Sequence, residues 1–172
     1  MAAKLMTLDD LLVDQLRDVL YAERQITKAL PKMARNASST DLATALTNHL
    51  KETEGQIERL EQVFGLLDLT ARGRKCEAIL GLIEEGQSLM EEEAEPAVLD
   101  AGIIASAQKV EHYEIAAYGC LVTWAEQLGQ TKAATLLRQT LDEEKAADVK
   151  LTGLAETVIN LEAAEPGGSP RA

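Results

Sequence analysis

Six carboxylates stand where the sequence would otherwise bury apolar side chains: Glu23, Glu52, Glu111, Glu114, Glu144 and Asp148. Steps of three and four residues keep side chains on one face of a helix, and such steps join each acid to an apolar stripe. Val13, Leu16, Leu20, Glu23, Leu30 and Ala34 form one stripe, and Leu42, Leu46, His49, Glu52, Gln56, Leu60 and Val63 a second. Ile104, Ala107, Glu111, Glu114, Tyr118, Leu121 and Ala125 form a third, and Leu137, Leu141, Glu144, Asp148, Leu151 and Ala155 a fourth. Each stripe is apolar at both ends and acidic in the middle. Even one unpaired buried carboxylate costs several kcal/mol, so six in one layer call for protons or cations. Two divalent ions bring four positive charges to oxygen donors, as in the di-iron and di-manganese sites inside helical bundles. The competing reading of any single acid is a solvated face, since glutamate favours helices and most of the 29 acids must lie outside. Agreement of four stripes in face and height is what sets these six apart.

Four long helices must position them. The first spans about Leu8 to Asn36, opened by the capping-box pair Thr7 and Asp10, with Pro31 expected to kink or shorten its last turns. Ala37-Ser38-Ser39-Thr40 is a polar turn, and a second helix runs from about Asp41 to Phe64, ended by Gly65 and the stretch Asp68 to Gly73. The third starts at Pro96, a favourable first-turn position, and closes at Leu128 before Gly129. The fourth begins near Thr131 and fades towards Glu162, after which the Pro- and Gly-rich tail Ala163 to Ala172 is expected to be disordered. The helix centres fall close to Ala22, Glu52, His112 and Lys145, the height of the acids. Between the second and third helices, Cys76 to Glu93 is itself helix-like, with Ile79, Leu82, Ile83, Gly86, Leu89 and Met90 on one face. Short, long and short connections predict an all-α, up-down four-helix bundle over residues 1–162, with one crossover. An offset of 91 residues lays Glu23 on Glu114, Leu30 on Leu121, Leu46 on Leu137 and Glu52 on Glu143, a trace that two similar helical hairpins would leave and that chance in an Ala/Leu-rich chain would also give.

Composition narrows the function. Lys and Arg number 17 against 29 acids, a net charge of −12, and aromatic residues make up 3%. Such a surface repels phosphate backbones and anionic lipids and offers no stacking platform, which argues against nucleic-acid and membrane partners. No signal-peptide-length or membrane-length apolar run is present. Cys76 and Cys120 fit no metal-ligand spacing and are expected as reduced thiols of a cytoplasmic protein.

The blocks Leu20-Tyr21-Ala22-Glu23-Arg24-Gln25, His49 to Glu61, Val110-Glu111-His112-Tyr113-Glu114-Ile115-Ala116-Ala117-Tyr118 and Glu143-Glu144-Lys145-Ala146-Ala147-Asp148 resemble the YciE/YciF family of bacterial ferritin-like, rubrerythrin-related stress proteins. The resemblance covers about residues 5 to 160. It implies a dinuclear site in which Glu23, Glu111 and Glu114 match the singly contributed ligands and Glu52 and Glu144, or its neighbour Glu143, the bridging ones. At the place of the first ferritin histidine stands Gly55, followed by Gln56; in the fourth helix stand Ala147 and Asp148. Gln56 and Asp148 lie one turn from Glu52 and Glu144 and would supply oxygen in place of imidazole. An all-oxygen set holds Fe(II) less tightly and admits manganese more readily. His49 and Tyr118, with Glu143, are expected just behind the ligands, and His112 on the surface.

The resulting expectation is a stress-associated protein with two metal ions, iron or else manganese, and possible Fe(II) oxidation or peroxide reduction at the pair. The alternative is a non-catalytic stress or scaffold protein whose metals stabilise the fold. The resemblance also implies a homodimer.

Overall fold

A computed structural model describes residues 5–165; residues 1–4 and most of the expected C-terminal tail, 166–172, lie outside the described residues. The elements are α1 (Leu8–Asn36), α2 (Thr40–Leu66), α3 (Glu77–Met90), α4 (Pro96–Gln127) and α5 (Thr131–Leu154). A π-helical stretch, Ala155–Ile159, and a last turn, α6 (Asn160–Ala163), prolong α5. No strand occurs among the described residues.

Local chemistry explains the boundaries. Thr7 and Asp10 close a reciprocal capping box at the start of α1. The shortening expected at Pro31 does not occur: α1 continues to Asn36 because Ile26, Leu30 and Met33 are buried and hold its last turns against the bundle. Ser39 caps α2. The turn before it is fastened to α4 by buried Asp100, which accepts hydrogen bonds from Ser38 N (2.8 Å), Ser38 Oγ (2.7 Å) and Ser39 N (2.8 Å). Gly129 ends the α4 turn at φ +72°, a left-handed conformation suited to glycine, and Gln130 N donates to Ala125 O at 2.8 Å.

The helices α1, α2, α5 and α4 pack in a ring, each against the next. Their cross-links run antiparallel: Arg24 meets Glu61, Arg59 meets Glu143, and Arg138 meets Glu126. The crossover descends along α1, where Arg74 N donates to Arg17 O and the Arg74 guanidinium pairs with Asp14 and Asp18. Its helix α3 then covers the α1–α4 flank through Ile79 and Gly86.

The apolar core is divided. Leu12, Leu16, Leu20, Leu60, Phe64, Leu121 and Leu137 belong to one buried cluster. Ile26, Leu30, Leu42, Leu46, Ile79, Ile103, Ile104 and Leu151 belong to another. A layer of buried polar side chains separates them at mid-height. This ordering along each helix is the stripe pattern of the sequence, apolar then polar then apolar, translated into a stack.

Candidate metal centre

The layer is built by one to three side chains from each long helix. Glu23 comes from α1, His49, Thr53 and Gln56 from α2, Glu111 and Glu114 from α4, and Thr140 and Glu144 from α5, all buried. His49, Glu111, Glu114 and Glu144 each offer one ligand atom, and these atoms lie within 4.8 Å of one another. His49 Nε2 stands 3.2 Å from Glu111 Oε1 and 3.8 Å from Glu144 Oε2. Glu23 adjoins Glu114 and receives the Tyr118 hydroxyl hydrogen bond on Oε1.

Two carboxylates expected in the layer lie elsewhere. Glu52 has a side chain 53% exposed, with Oε2 at 3.4 Å from His49 Nδ1. At about 100° per residue, Glu52 sits about 60° back from His49 around the helix, whereas Thr53 sits about 40° forward. The inward stripe therefore steps from His49 to Thr53 to Gln56. Asp148 lies on the outer α4–α5 seam, where it accepts from Gln108 Nε2 at 3.0 Å and faces exposed His112 at 3.4 Å. Gln56 is buried at the edge of the layer, donating to Glu143 Oε2 at 3.2 Å. Glu143 is gripped by Arg59, each guanidinium nitrogen 2.9 Å from one carboxylate oxygen. His49, expected behind the ligands, is thus central, and Arg59 is a structural partner that its surface-like sequence context concealed. The available signal for His49 was its position on the apolar stripe beside Leu46.

Electrostatics mark the layer as strained for a metal-free protein. Burial pushes the Glu23 carboxyl up to about 7 against the opposing pull of Tyr118 and His49. Burial and the adjacent Glu111 push Glu144 up to about 10. Burial and the charges of Glu23, Glu144 and Glu111 hold Glu114 well above the carboxylate range. Burial alone would depress the His49 imidazole, but Glu111, Glu52 and Glu144 reverse this and push it up to about 11. Nor do hydrogen bonds complete the layer. Glu23 Oε2, His49 Nε2, Gln56 Oε1, Glu111 Oε2 and both oxygens of Glu114 and Glu144 have no hydrogen-bond partner. Buried acceptors of this kind are normally satisfied, so the donor set fits a cation in its midst.

An antiparallel four-helix ring, one crossover carrying a helix, and carboxylates turned inward at mid-height define the ferritin-like class of bundle. The chain belongs to the family described as "Domain of unknown function (DUF892)", whose model matches residues 7–164. It is 51% identical over 158 residues to protein YciF of Escherichia coli K12, covering 91% of this chain and 95% of that protein. The crystal structure of the E. coli stress protein YciF superposes with a TM-score of 0.88 at 50% identity, covering 91% of this chain and 99% of that one. YcfI from Rhodopseudomonas palustris gives a TM-score of 0.86 at 52% identity, over 88% of this chain and 97% of that one. A Xanthomonas campestris protein shares the fold at 20% identity, with a TM-score of 0.73 over 90% of this chain and 95% of that one.

No helix among the described residues is long and apolar enough to cross a membrane. Both cysteines are free thiols, Cys76 buried against Tyr113 and Cys120 exposed.

Proposed function

We propose that this chain is a ferritin-like dinuclear metal protein, with iron as the first candidate and manganese the second. Glu23, His49, Glu111, Glu114 and Glu144 would hold the ions. The observation that carries this reading is the set of unpartnered donor atoms, all buried and all in one layer. Charge supports it. Four ionised carboxylates carry four negative charges, and two divalent ions match them, so no acid need take up a proton on folding. The mixed imidazole and carboxylate set suits iron and manganese.

Bound as a pair, iron would supply two-electron chemistry towards dioxygen or peroxide. The chain's own part is to hold and shelter. The apolar clusters above and below the layer exclude water, and the Tyr118 hydroxyl fixes Glu23 through Oε1. Under this reading the stress role stated for YciF extends to the present chain. A cytoplasmic homodimer is the assembly that goes with it, and light scattering tests that state.

Metal analysis of protein purified without chelator should find two ions per chain. Fewer than one would refute the proposal. Fe(II) should be consumed with dioxygen or peroxide, and Glu144→Ala should abolish both binding and turnover; unchanged turnover would show adventitious iron. Bound metal that is redox-silent, with a melting temperature that falls on chelation, would select a purely structural centre.

A further inference from the structure

Two openings approach the buried layer, and they differ in chemistry. One is the seam between α1, α3 and α4, a cavity of about 30 Å³ walled by side chains such as Leu30, Met33, Ile83 and Met90 with Glu111 at its floor. The other is a crevice of about 160 Å³ between α2 and α5. Its walls are low where Ala45, Ala146 and Ala147 line it, its floor is His49 and Glu111, and its rim carries Glu52, Glu143 and Lys150. The floor groups are buried, and both His49 Nε2 and Glu111 Oε2 lack a hydrogen-bond partner.

Building on the metal-centre reading, we propose that the α2–α5 crevice is the port through which divalent cations reach the layer, with Glu52 as the outer docking carboxylate and His49 as the group that hands the ion inward. Glu52 is placed for this. It is exposed, it lies outside the layer, and its one side-chain partner is the His49 ring. That ring spans the step: Nδ1 faces Glu52 at 3.4 Å while Nε2 faces Glu111 and Glu144. Glu143 contributes less field at the mouth, because Arg59 grips both of its oxygens. Lys150 opposes Glu52 across the same rim. The other seam is lined mainly by apolar side chains, with Lys32, Gln87 and Ser106 among them and Glu111 its one carboxylate, so desolvation and the Lys32 charge would obstruct that route for a hydrated ion.

The test is Co(II) binding to chelator-treated protein, followed by absorption in stopped flow. One rim charge acting on a divalent ion a few ångströms away changes its local concentration by about tenfold in water, less as salt rises. Glu52→Gln is therefore expected to slow association about five- to tenfold at low ionic strength. Lys150→Gln should accelerate it by a similar factor, and both differences should shrink at high salt. Ala147→Phe, which narrows the wall, should slow association at every ionic strength. In all three variants the number of ions bound at saturation should equal that of the unmodified protein, as should thermal unfolding in chelator.

Equal association rates in the two charge variants and the unmodified protein would overturn the port, as would slowing by Gly86→Leu in the apolar seam instead. A lower saturating number in Glu52→Gln would overturn it too, by making Glu52 a ligand of the centre. Absence of any Co(II) binding by the unmodified protein would instead refute the metal centre itself, and the port with it.

Discussion

In the absence of metal, Glu144 should weaken the fold it sits in, and Glu144→Met should relieve the defect. Neither oxygen of Glu144 has a hydrogen-bond partner, and the side chain is fully buried. Its carboxyl is pushed from 4.5 up to about 10. At pH 7 the unfolded chain leaves this group ionised, whereas the metal-free folded chain must protonate it. The gap of about 2.5 pH units, at about 1.4 kcal/mol per unit, makes this a penalty of about 3 kcal/mol. Methionine fills nearly the same volume without a titrating group, so the variant should gain about 2–3 kcal/mol, less whatever repacking costs.

The sign of the pH dependence follows. A carboxyl raised in the folded state contributes most below its unfolded value of 4.5, and that contribution is lost as pH rises towards about 10. Glu23 acts in the same sense between 4.5 and about 7, and His49 between 6.5 and about 11. Glu52, lowered by His49, acts in the opposite sense but is largely exposed and screened. Urea unfolding in chelator should therefore show stability falling from about pH 5 to about pH 8, with a shallower fall in Glu144→Met. With divalent metal at a hundredfold excess over its dissociation constant, the unmodified protein should gain about 2.7 kcal/mol and the variant far less. A flat or rising pH profile in chelator, or a variant no more stable than its parent there, would refute the account of the layer as a set of unmatched acids.

Three further perturbations separate scaffold from site. Asp100→Ala should cost about 3–4 kcal/mol by urea unfolding, because it strips the turn before α2 of three charge-assisted hydrogen bonds and leaves buried donors bare, while metal stoichiometry stays the same. Gly129→Ala, at φ +72°, should cost about 1 kcal/mol in the same assay with no effect on metal binding. Tyr118→Phe removes the one donor to Glu23, so metal affinity measured by titration calorimetry should drop several-fold with the fold intact.

The bundle was legible because its signals are local and repeated. Thr7 with Asp10, Pro96 and Gly129 punctuate the helices at the positions the structure uses, and the apolar stripes give the faces. Polar side chains in the layer were harder to read, since periodicity resolves a face only to about half a turn. Glu52 and Thr53 are neighbours in sequence, and each is one plausible step from His49. Only the packing of α2 against α5 decides which points inward. For Asp148 the competitor was invisible in the sequence: Gln108 and His112 on α4 offer it donors on the outer seam, across a helix–helix contact that no spacing within α5 reveals. His49 was underweighted for a related reason, because its value comes from three acids on other helices.

The 91-residue repeat contained part of the missing information. It pairs Glu52 with Glu143, not with Glu144, and in the structure both stand at the mouth of the α2–α5 crevice. By the same offset Glu23 pairs with Glu114, and those two do meet in the layer. The inward residues that break the repeat are the ones that make the layer acidic and lopsided: Glu111 stands where Leu20 is on α1, Glu144 where Thr53 is on α2, and His49 where Thr140 is on α5. A duplicated hairpin with threonine at the last two of those places would have kept only the Glu23–Glu114 pair and Glu111. The differences between the two halves therefore place two acids and one imidazole at the centre, Glu111 from α4, Glu144 from α5 and His49 from α2. Function, on this reading, lies in the departures from symmetry, and the hairpin-to-hairpin likeness supplies the scaffold that holds them at one height.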